Sequence, residues 1–321
     1  MKNVTKAMIM AAGVGSRLDP LTKDTPKPLV PILNRPVMDI LLNSLSKIGV
    51  NSVIANTYYL ADKIIDRYKN NNFGIDFNYI KESTLSGTAG GLKKCQYFFN
   101  KGETFIVLSG DGLSNADIKK GIDIHLKSDA IATIGIKSVD YNQVSNFGVV
   151  VTDKFGYITE FQEKPSLKEA KSNFINTGIY IFNYKIFDYI PENTFFDFAK
   201  DVFPKLLCNH SINTFIIDEY WSDIGTLQQY SQSTLDVFAG GCDIGINVNE
   251  NLISESYIPE STVISGYAVV GQNCKIGKNV ALKNSIIWNN VDIDDGVVLE
   301  NVIVGNNTKI ANNLKNTVVS H

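Results

Sequence analysis

Histidine and cysteine are scarce in this chain, with three and four copies in 321 residues. The cysteines, Cys95, Cys208, Cys242 and Cys274, are scattered, form no CxxC pair and have no histidine at ligand spacing. That pattern argues against a zinc centre and a disulfide framework, and the four read as reduced thiols. Excess charge is missing too: Lys+Arg 30 against Asp+Glu 33 leaves a net charge of -3. A chain with no surplus of base is not built to track a nucleic-acid backbone, so any anionic ligand must be met by local groups. No apolar run approaches the ~18 residues of a membrane span, and no charged n-region followed by an apolar h-region stands near the start. The expectation is a cytoplasmic protein with neither nucleic acid nor membrane as partner.

What is present is a large core in two grammars. At 44% hydrophobic residues the chain can fill one large core or two domains. Up to about residue 238, apolar runs at Lys6–Ala12, Val50–Ala55, Ile75–Ile80, Thr104–Leu108, Ala130–Ile136, Gly148–Val151 and Gly178–Phe182 read as strands. Amphipathic stretches at Val37–Ile48, Leu60–Tyr68 and Leu92–Phe99 read as helices. Alternation of this kind predicts an α/β domain with a mostly parallel sheet, whose ligands sit at the carboxyl ends of the strands. After Phe238 three windows, Ser265–Ala281, Leu282–Val298 and Leu299–Lys315, repeat at ~17 residues. Val270, Ile287 and Val304 align, as do Ile276, Ile293 and Ile310, and Asn273, Asn290 and Asn307. Aliphatic spacings of six, six and five resemble the hexapeptide repeats of a left-handed parallel β-helix, in which stacked coils bury what one coil cannot. The closing LKNTVV echoes LKNSII two residues early, so the last coil is expected to be incomplete or capped.

The loop after the first strand, AAGVGSRLDPLTKDTPKPLVPI (Ala11–Ile32), holds two glycines, an arginine, four prolines and two lysines. It fits neither the Walker pattern nor the dinucleotide fingerprint, which wants a glycine where Leu18 stands. Gly13 and Gly15 allow a sharp turn that presents N–H groups to a polyphosphate, Arg17 adds a forked cation, and Lys27 a second on a segment stiffened by Pro26 and Pro28.

The run Gly13-x-Gly-Ser-Arg-Leu-x-Pro-Leu-Thr22 with Pro26-Lys-Pro-Leu-Val-Pro31 resembles the signature of the sugar-1-phosphate nucleotidylyltransferases, the NDP-sugar pyrophosphorylases. The resemblance continues in order through Glu82–Gly91 (nucleobase segment), Leu108–Asp111 (metal aspartate), Glu163-Lys-Pro165 and Asn176-Thr-Gly178 (sugar-phosphate segments) and Trp221–Gly225 (second metal aspartate). It implies a Rossmann-like mixed-sheet nucleotidyltransferase domain over residues 1–240 and a short left-handed parallel β-helix over 241–321. It implies further that Asp111 and Asp223 hold Mg²⁺, that Arg17 binds the β- and γ-phosphates, and that Lys27 covers the α-phosphate. Ala12, Gly13, Gly15, Ser16, Glu82, Gly87 and Thr88 would line the nucleotide, and Gly148, Glu163, Lys164, Asn176 and Gly178 the sugar phosphate.

Glu82 can only accept hydrogen bonds, which suits the adjacent N1–H and N2–H donors of guanine, so GTP is the favoured triphosphate. SIIWNN and the general arrangement resemble bacterial mannose-1-phosphate guanylyltransferases, which favours mannose 1-phosphate. Heptose-1-phosphate guanylyl and glucose-1-phosphate uridylyl, adenylyl or thymidylyl transfer remain open. Ser86, where the family usually has leucine, and Gly112–Asn115, in place of a more acidic run, depart from the pattern. A non-catalytic paralogue that binds nucleotide sugars would typically lack one of Arg17, Lys27, Asp111, Lys164 and Asp223, yet all are present. A hexapeptide acyltransferase would want a histidine among the coils, and only His125, His210 and His321 exist. The coils are expected instead to assemble a homo-oligomer or to regulate, with Tyr267 and Trp288 covering corners.

Overall fold

The computed structural model describes residues 4–70, 73–208, 211–246, 248 and 251–321; His210 lies outside them. Contacts divide the chain into two compact units. One runs to Val14 and resumes over Leu41–Asp223; the other takes Gly15–Ile40 and Ile224–His321.

In the first unit, Lys6–Ala11 pairs in parallel with Ser52–Thr57 on one side and Thr104–Ser109 on the other, and Asp76–Lys81 extends the same parallel edge. Beyond Thr104–Ser109 the sheet turns antiparallel through the ten-residue strand Phe174–Asn183, which also pairs with Ala132–Ser138. Gly148–Thr152 and Ile158–Glu163 form an antiparallel pair, and Ile212–Ile216 joins Ala132–Ser138 in parallel. Among the described residues this makes a nine-stranded mixed sheet. The strand and helix alternation suggested a mostly parallel one. The difference is topological: five residues separate Gly148–Thr152 from Ile158–Glu163, too few for a crossover, so the second strand must return as a hairpin. Apolar packing beneath the sheet centres on Phe105, Tyr180, Phe182, Phe187, Phe198 and Phe203, all buried. The rings of Tyr180 and Phe182 stack at 5.4 Å, and those of Phe105 and Phe187 at 5.7 Å.

Helices occupy Val37–Lys47, Ala61–Tyr68, Gly87–Lys94 and Ile118–Leu126. The third starts five residues before the amphipathic pattern indicated. Glycine is a poor helix former, but a Cβ at Gly87 would lie 2.5 Å from the Phe196 carbonyl oxygen, and Gly87 has a φ of 78°. Glycine alone permits that approach, and the amides of Ala89 and Gly90 then donate to the same carbonyl.

In the second unit, Thr226 caps the helix Leu227–Phe238 by accepting from the Gln229 amide. From Leu252 onward the unit is a parallel-sheet domain. Val263–Val270, Ala281–Ile287 and Val298–Val304 succeed one another in parallel, as do Lys275–Ile276, Asp292–Ile293 and Lys309–Ile310. The pairings Val270 with Ile287, Ile287 with Val304, Ile276 with Ile293 and Ile293 with Ile310 each advance by 17 residues. Val270, Ile287 and Val304 are fully buried. The side chains of Asn273, Asn290 and Asn307 form a ladder in which each Nδ2 donates to the next Oδ1, at 3.3 and 3.0 Å. All three have φ of 57–59°, a left-handed conformation that asparagine tolerates. The final pairing, Leu299 with Leu314, advances by 15, the two-residue shortening seen in LKNTVV.

Candidate active site

In the first unit, two short strands far apart in sequence bring the two metal-candidate aspartates together. Trp221–Asp223 runs antiparallel to Gly112–Ser114, with Asp223 opposite Gly112, one residue after Asp111. Ser109 Oγ donates to Asp111 Oδ1 at 2.6 Å, which fixes one carboxylate oxygen. Among the described residues no group of three or more His, Cys, Asp or Glu is arranged to hold a metal ion. Two adjacent carboxylates suit Mg²⁺, which takes one or two protein carboxylates and completes its shell with phosphate and water oxygens.

Four of the sugar-phosphate candidates fall beside one another. Glu163 pairs with Gly148, and Ile175 pairs with Val149, so the next step of that register sets Asn176 beside Gly148. A Cβ at Gly148 would lie 2.9 Å from the Phe161 ring and 3.2 Å from Glu163 Oε2, so glycine keeps this row open. Lys164 follows with φ of 47°, its amide donating to the Phe147 carbonyl at 3.1 Å. A lysine in this region is strained unless its surroundings hold it there. Gly178 lies in a bulge of its strand at φ of 76°, where a Cβ would meet that of Ser109 at 2.9 Å. Asn176 Nδ2 donates to the Tyr180 hydroxyl at 2.9 Å and its Oδ1 accepts from the Gly178 amide at 3.1 Å. Burial pushes the Tyr180 phenol up to about 12, so it stays protonated.

Trp221, two residues before the metal candidate Asp223, ties these segments together. Its Nε1 donates to the Thr177 carbonyl at 3.0 Å, and its ring meets Phe147 edge-on at 5.7 Å.

In the nucleobase segment the side chains of Glu82 and Thr88 have partners within the protein. Glu82 is buried, and its carboxylate accepts from Asn56 Nδ2 at 2.7 Å, from Lys94 Nζ at 2.8 Å and from the Ser86 hydroxyl. Its acceptor capacity is therefore turned to its own scaffold. Asn56 in turn accepts from the Ala11 amide at 3.2 Å, joining the end of the first strand to Glu82. Asn56 was not singled out from the sequence, since it stands in an apolar strand; Ser86, four residues after Glu82, was a readable signal. Thr88 is likewise engaged: Asp197 Oδ1 lies 3.0 Å from its hydroxyl and 3.3 Å from its amide. Ala12 is buried and Gly13 exposed.

In the second unit, Gly15 turns at φ of 77° into a short turn of helix over Ser16–Leu18. The Thr22 hydroxyl lies 2.9 Å from both the Gly15 carbonyl and Asp19 Oδ1. A Cβ at Gly15 would be 3.1 Å from that of Lys27, so the missing side chain lets the lysine stem pack against the turn. Ser16 and Arg17 are exposed and Lys27 is half-buried, its segment stiffened by a helical turn over Lys27–Leu29 and by buried Pro28. The loop thus carries Arg17 and Lys27 on one closed turn.

Comparison with known proteins identifies the family. Residues 6–239 match the family described as Nucleotidyl transferase, and residues 247–320 match the GMPPB C-terminal domain. The chain is 36% identical to a UTP–glucose-1-phosphate uridylyltransferase of Synechocystis sp., with 88% of this chain and 82% of that protein covered. It is 30% identical to mannose-1-phosphate guanylyltransferase 1 of Arabidopsis thaliana, over 86% of this chain and 76% of that one. Among solved structures it is similar to HddC from Yersinia pseudotuberculosis complexed with GMP-PN, at a TM-score of 0.62 and 30% identity. That match covers 73% of this chain and all of the other.

Proposed function

The chain belongs to the nucleotidyl transferase family and is a sugar-1-phosphate nucleotidyltransferase, and we propose that it acts on a hexose 1-phosphate with Asp111, Asp223, Arg17, Lys27 and Lys164 as its working groups. The observation that carries this is the pairing of Asp223 with Gly112 beside Asp111, next to a row of sugar-phosphate candidates in the same unit. A phosphate oxygen of the sugar 1-phosphate attacks the α-phosphorus of the triphosphate; the new O–P bond forms as the bond to the β-phosphate oxygen breaks, and pyrophosphate leaves. No protein nucleophile is needed, so positioning and charge neutralisation carry the rate. Members of this family generally use a divalent metal; Asp111 and Asp223 would hold Mg²⁺, which supplies positive charge to the crowded phosphate oxygens. Arg17 stabilises the leaving pyrophosphate, Lys27 covers the α-phosphate, and Lys164 holds the phosphate of the sugar. Glu163 and Asn176 meet sugar hydroxyls, with Gly148 and Gly178 admitting the ring close to the backbone. Ala12, Gly13, Gly15 and Ser16 line the triphosphate, and Gly87 and Thr88 belong to the segment around the base.

For the substrates, we place UTP with glucose 1-phosphate first. Support comes from the 36% identity to the uridylyltransferase and from Glu82, whose inward carboxylate no longer argues for guanine. GTP with mannose 1-phosphate is the second reading, supported by the C-terminal match over residues 247–320 and by the guanylyltransferase relatives. Pyrophosphate release, measured with Mg²⁺ across nucleoside triphosphates and sugar 1-phosphates, decides. A dominant UTP and glucose 1-phosphate cell supports the first reading, a dominant GTP and mannose 1-phosphate cell replaces it with the second, and silence throughout overturns both.

The domain boundaries we propose are 1–240 for catalysis and 241–321 for a left-handed β-helix of stacked coils that builds a homo-oligomer. Light scattering on the intact chain should give a multiple of the protomer mass; a monomer would sink the assembly role.

A further inference from the structure

The second unit holds a buried relay that runs from the coils to the signature segment. Trp288, 2% exposed, donates its Nε1–H to the Tyr230 hydroxyl at 2.8 Å, with the two rings perpendicular at 6.2 Å. Tyr230, in the helix Leu227–Phe238 and fully buried, donates that hydroxyl to the Pro31 carbonyl at 2.9 Å. Pro31 closes the Lys27-Pro-Leu-Val-Pro31 run. The Tyr230 hydroxyl thus accepts from Trp288 and donates to Pro31. Trp288 stands directly after the strand Ala281–Ile287, with its ring turned to Tyr230.

Three further bonds lie along the same segment. Asn34 Nδ2 donates to the Val270 carbonyl at 2.8 Å, Asn306 Nδ2 to Thr25 Oγ1 at 3.2 Å, and Arg35 Nη1 to the Ile244 carbonyl at 3.1 Å. The segment from Thr25 to Arg35 is thus held at four points by residues of the C-terminal part. Three-residue helical turns and two-residue strands cannot fix such a segment alone, because too few hydrogen bonds form within it.

We propose that Trp288 and Tyr230 are positioning residues for nucleotidyl transfer: through the Pro31 carbonyl they hold the segment that carries Lys27 in its working place. The coils then serve the chemistry as well as assembly. The proposal rests on the reading that Arg17 and Lys27 meet the triphosphate. A fixed cation contributes to the transition state only if it is already in place, so a loosened brace is read first in the triphosphate and hardly in the sugar phosphate.

The test uses the full chain with Trp288→Phe, Tyr230→Phe and the double variant. Two readouts are taken: amide hydrogen exchange in the peptide spanning residues 15–36, and KM and kcat in the substrate cell that gives the fastest pyrophosphate release. Exchange should quicken in that peptide, and the KM for triphosphate should rise about 5-fold with that for sugar 1-phosphate unchanged. The double variant should behave as Tyr230→Phe alone, since both changes act through one hydroxyl. Unchanged exchange in that peptide overturns the proposal, whatever the kinetics. Faster exchange with an unchanged triphosphate KM overturns it as well, and if Lys27→Ala is also without effect on that KM, the fault lies in the functional reading of the loop. Should the buried variants fail to fold, Asn34→Gly serves instead. Asn34 has φ of 65°, so glycine keeps the backbone and removes only the bond to Val270. The same two readouts and the same outcomes then apply.

Discussion

Asn56 Nδ2 stands 2.7 Å from Glu82 Oε1, directly beneath Gly91, where a Cβ would come within 2.6 Å of the same nitrogen. A buried carboxylate is held by an amide, a hydroxyl and an ammonium, and the helix above it has a glycine where it crosses.

This predicts that Glu82 acts on stability more than on base choice. Glu82→Gln keeps an acceptor for Asn56 but cannot satisfy both Ser86 and Lys94, and Lys94, a third exposed, can turn to water. The cost should be about 1–3 kcal/mol, seen as a lower midpoint in thermal unfolding, with the ranking of nucleoside triphosphates unchanged. A reversal of that ranking would return Glu82 to the base. Gly91→Ala should destabilise by a similar amount, about 1–3 kcal/mol, through overpacking.

Asp111→Asn and Asp223→Asn should each lower kcat by about 10²–10³-fold while circular dichroism stays that of the parent. Without metal the two carboxylates are like charges on neighbouring segments, since Asp223 pairs with Gly112, the residue after Asp111, and like charges brought close oppose each other. Each variant should therefore melt no lower than the parent in EDTA, and Mg²⁺ should raise the melting point of the parent alone. Retained turnover in either variant would remove it from the metal assignment.

Lys164, proposed to hold the phosphate of the sugar, stands in the left-handed backbone region. Glycine has no Cβ penalty at φ of 47°, so Lys164→Gly should be more stable than Lys164→Ala by about 1 kcal/mol. Both should raise the KM for sugar 1-phosphate at least about tenfold, since both lose the ammonium. Equal stabilities would show that the surroundings do not impose this backbone conformation, and an unchanged KM would take Lys164 out of the sugar site.

His125 gives the fold a pH dependence. Burial pushes its imidazole down to about 4, while Nδ1 sits 2.9 Å from Thr133 Oγ1. Unfolded, it would titrate near 6.5. Between these values the unfolded chain binds a proton that the folded chain refuses, so this contribution is complete above about pH 6.5 and falls as pH drops towards 4. The full loss is about 3 kcal/mol. Denaturant midpoints between pH 4 and 7 should show the fall in the parent and a shallower one in His125→Asn.

Much of this was legible in the sequence because it repeats or sits at strand ends. The 17-residue columns of Val270, Ile287 and Val304 became the actual pairing partners, since a period in sequence is a register in a parallel sheet. The glycines of the opening loop announced a turn, and Gly15 makes one. What stayed hidden depends on partners that no local pattern reveals. Trp221–Asp223 and Gly112–Ser114 are three residues each and pair across more than a hundred positions, and Tyr230 reaches Pro31 across 199. Asn56 looks like any polar residue in a strand until Glu82 lies beside it. Glu82 itself was assigned by its place in a motif, and its direction is set by Ser86 and Lys94, one of which breaks that motif.

The chain leaves its first unit at Gly15, returns at Leu41, and leaves again after Asp223. The C-terminal part is consequently not an interchangeable cassette. A chimera that grafts residues 224–321 from a relative would bring foreign counterparts of Tyr230, Val270 and Trp288 to the native segment 15–40, and the exchange becomes coherent only when that 26-residue insert travels with its platform. A change at Pro31 or Asn34 is accordingly felt at Tyr230 or Val270, although residues 41–223 lie between the two stretches in the chain.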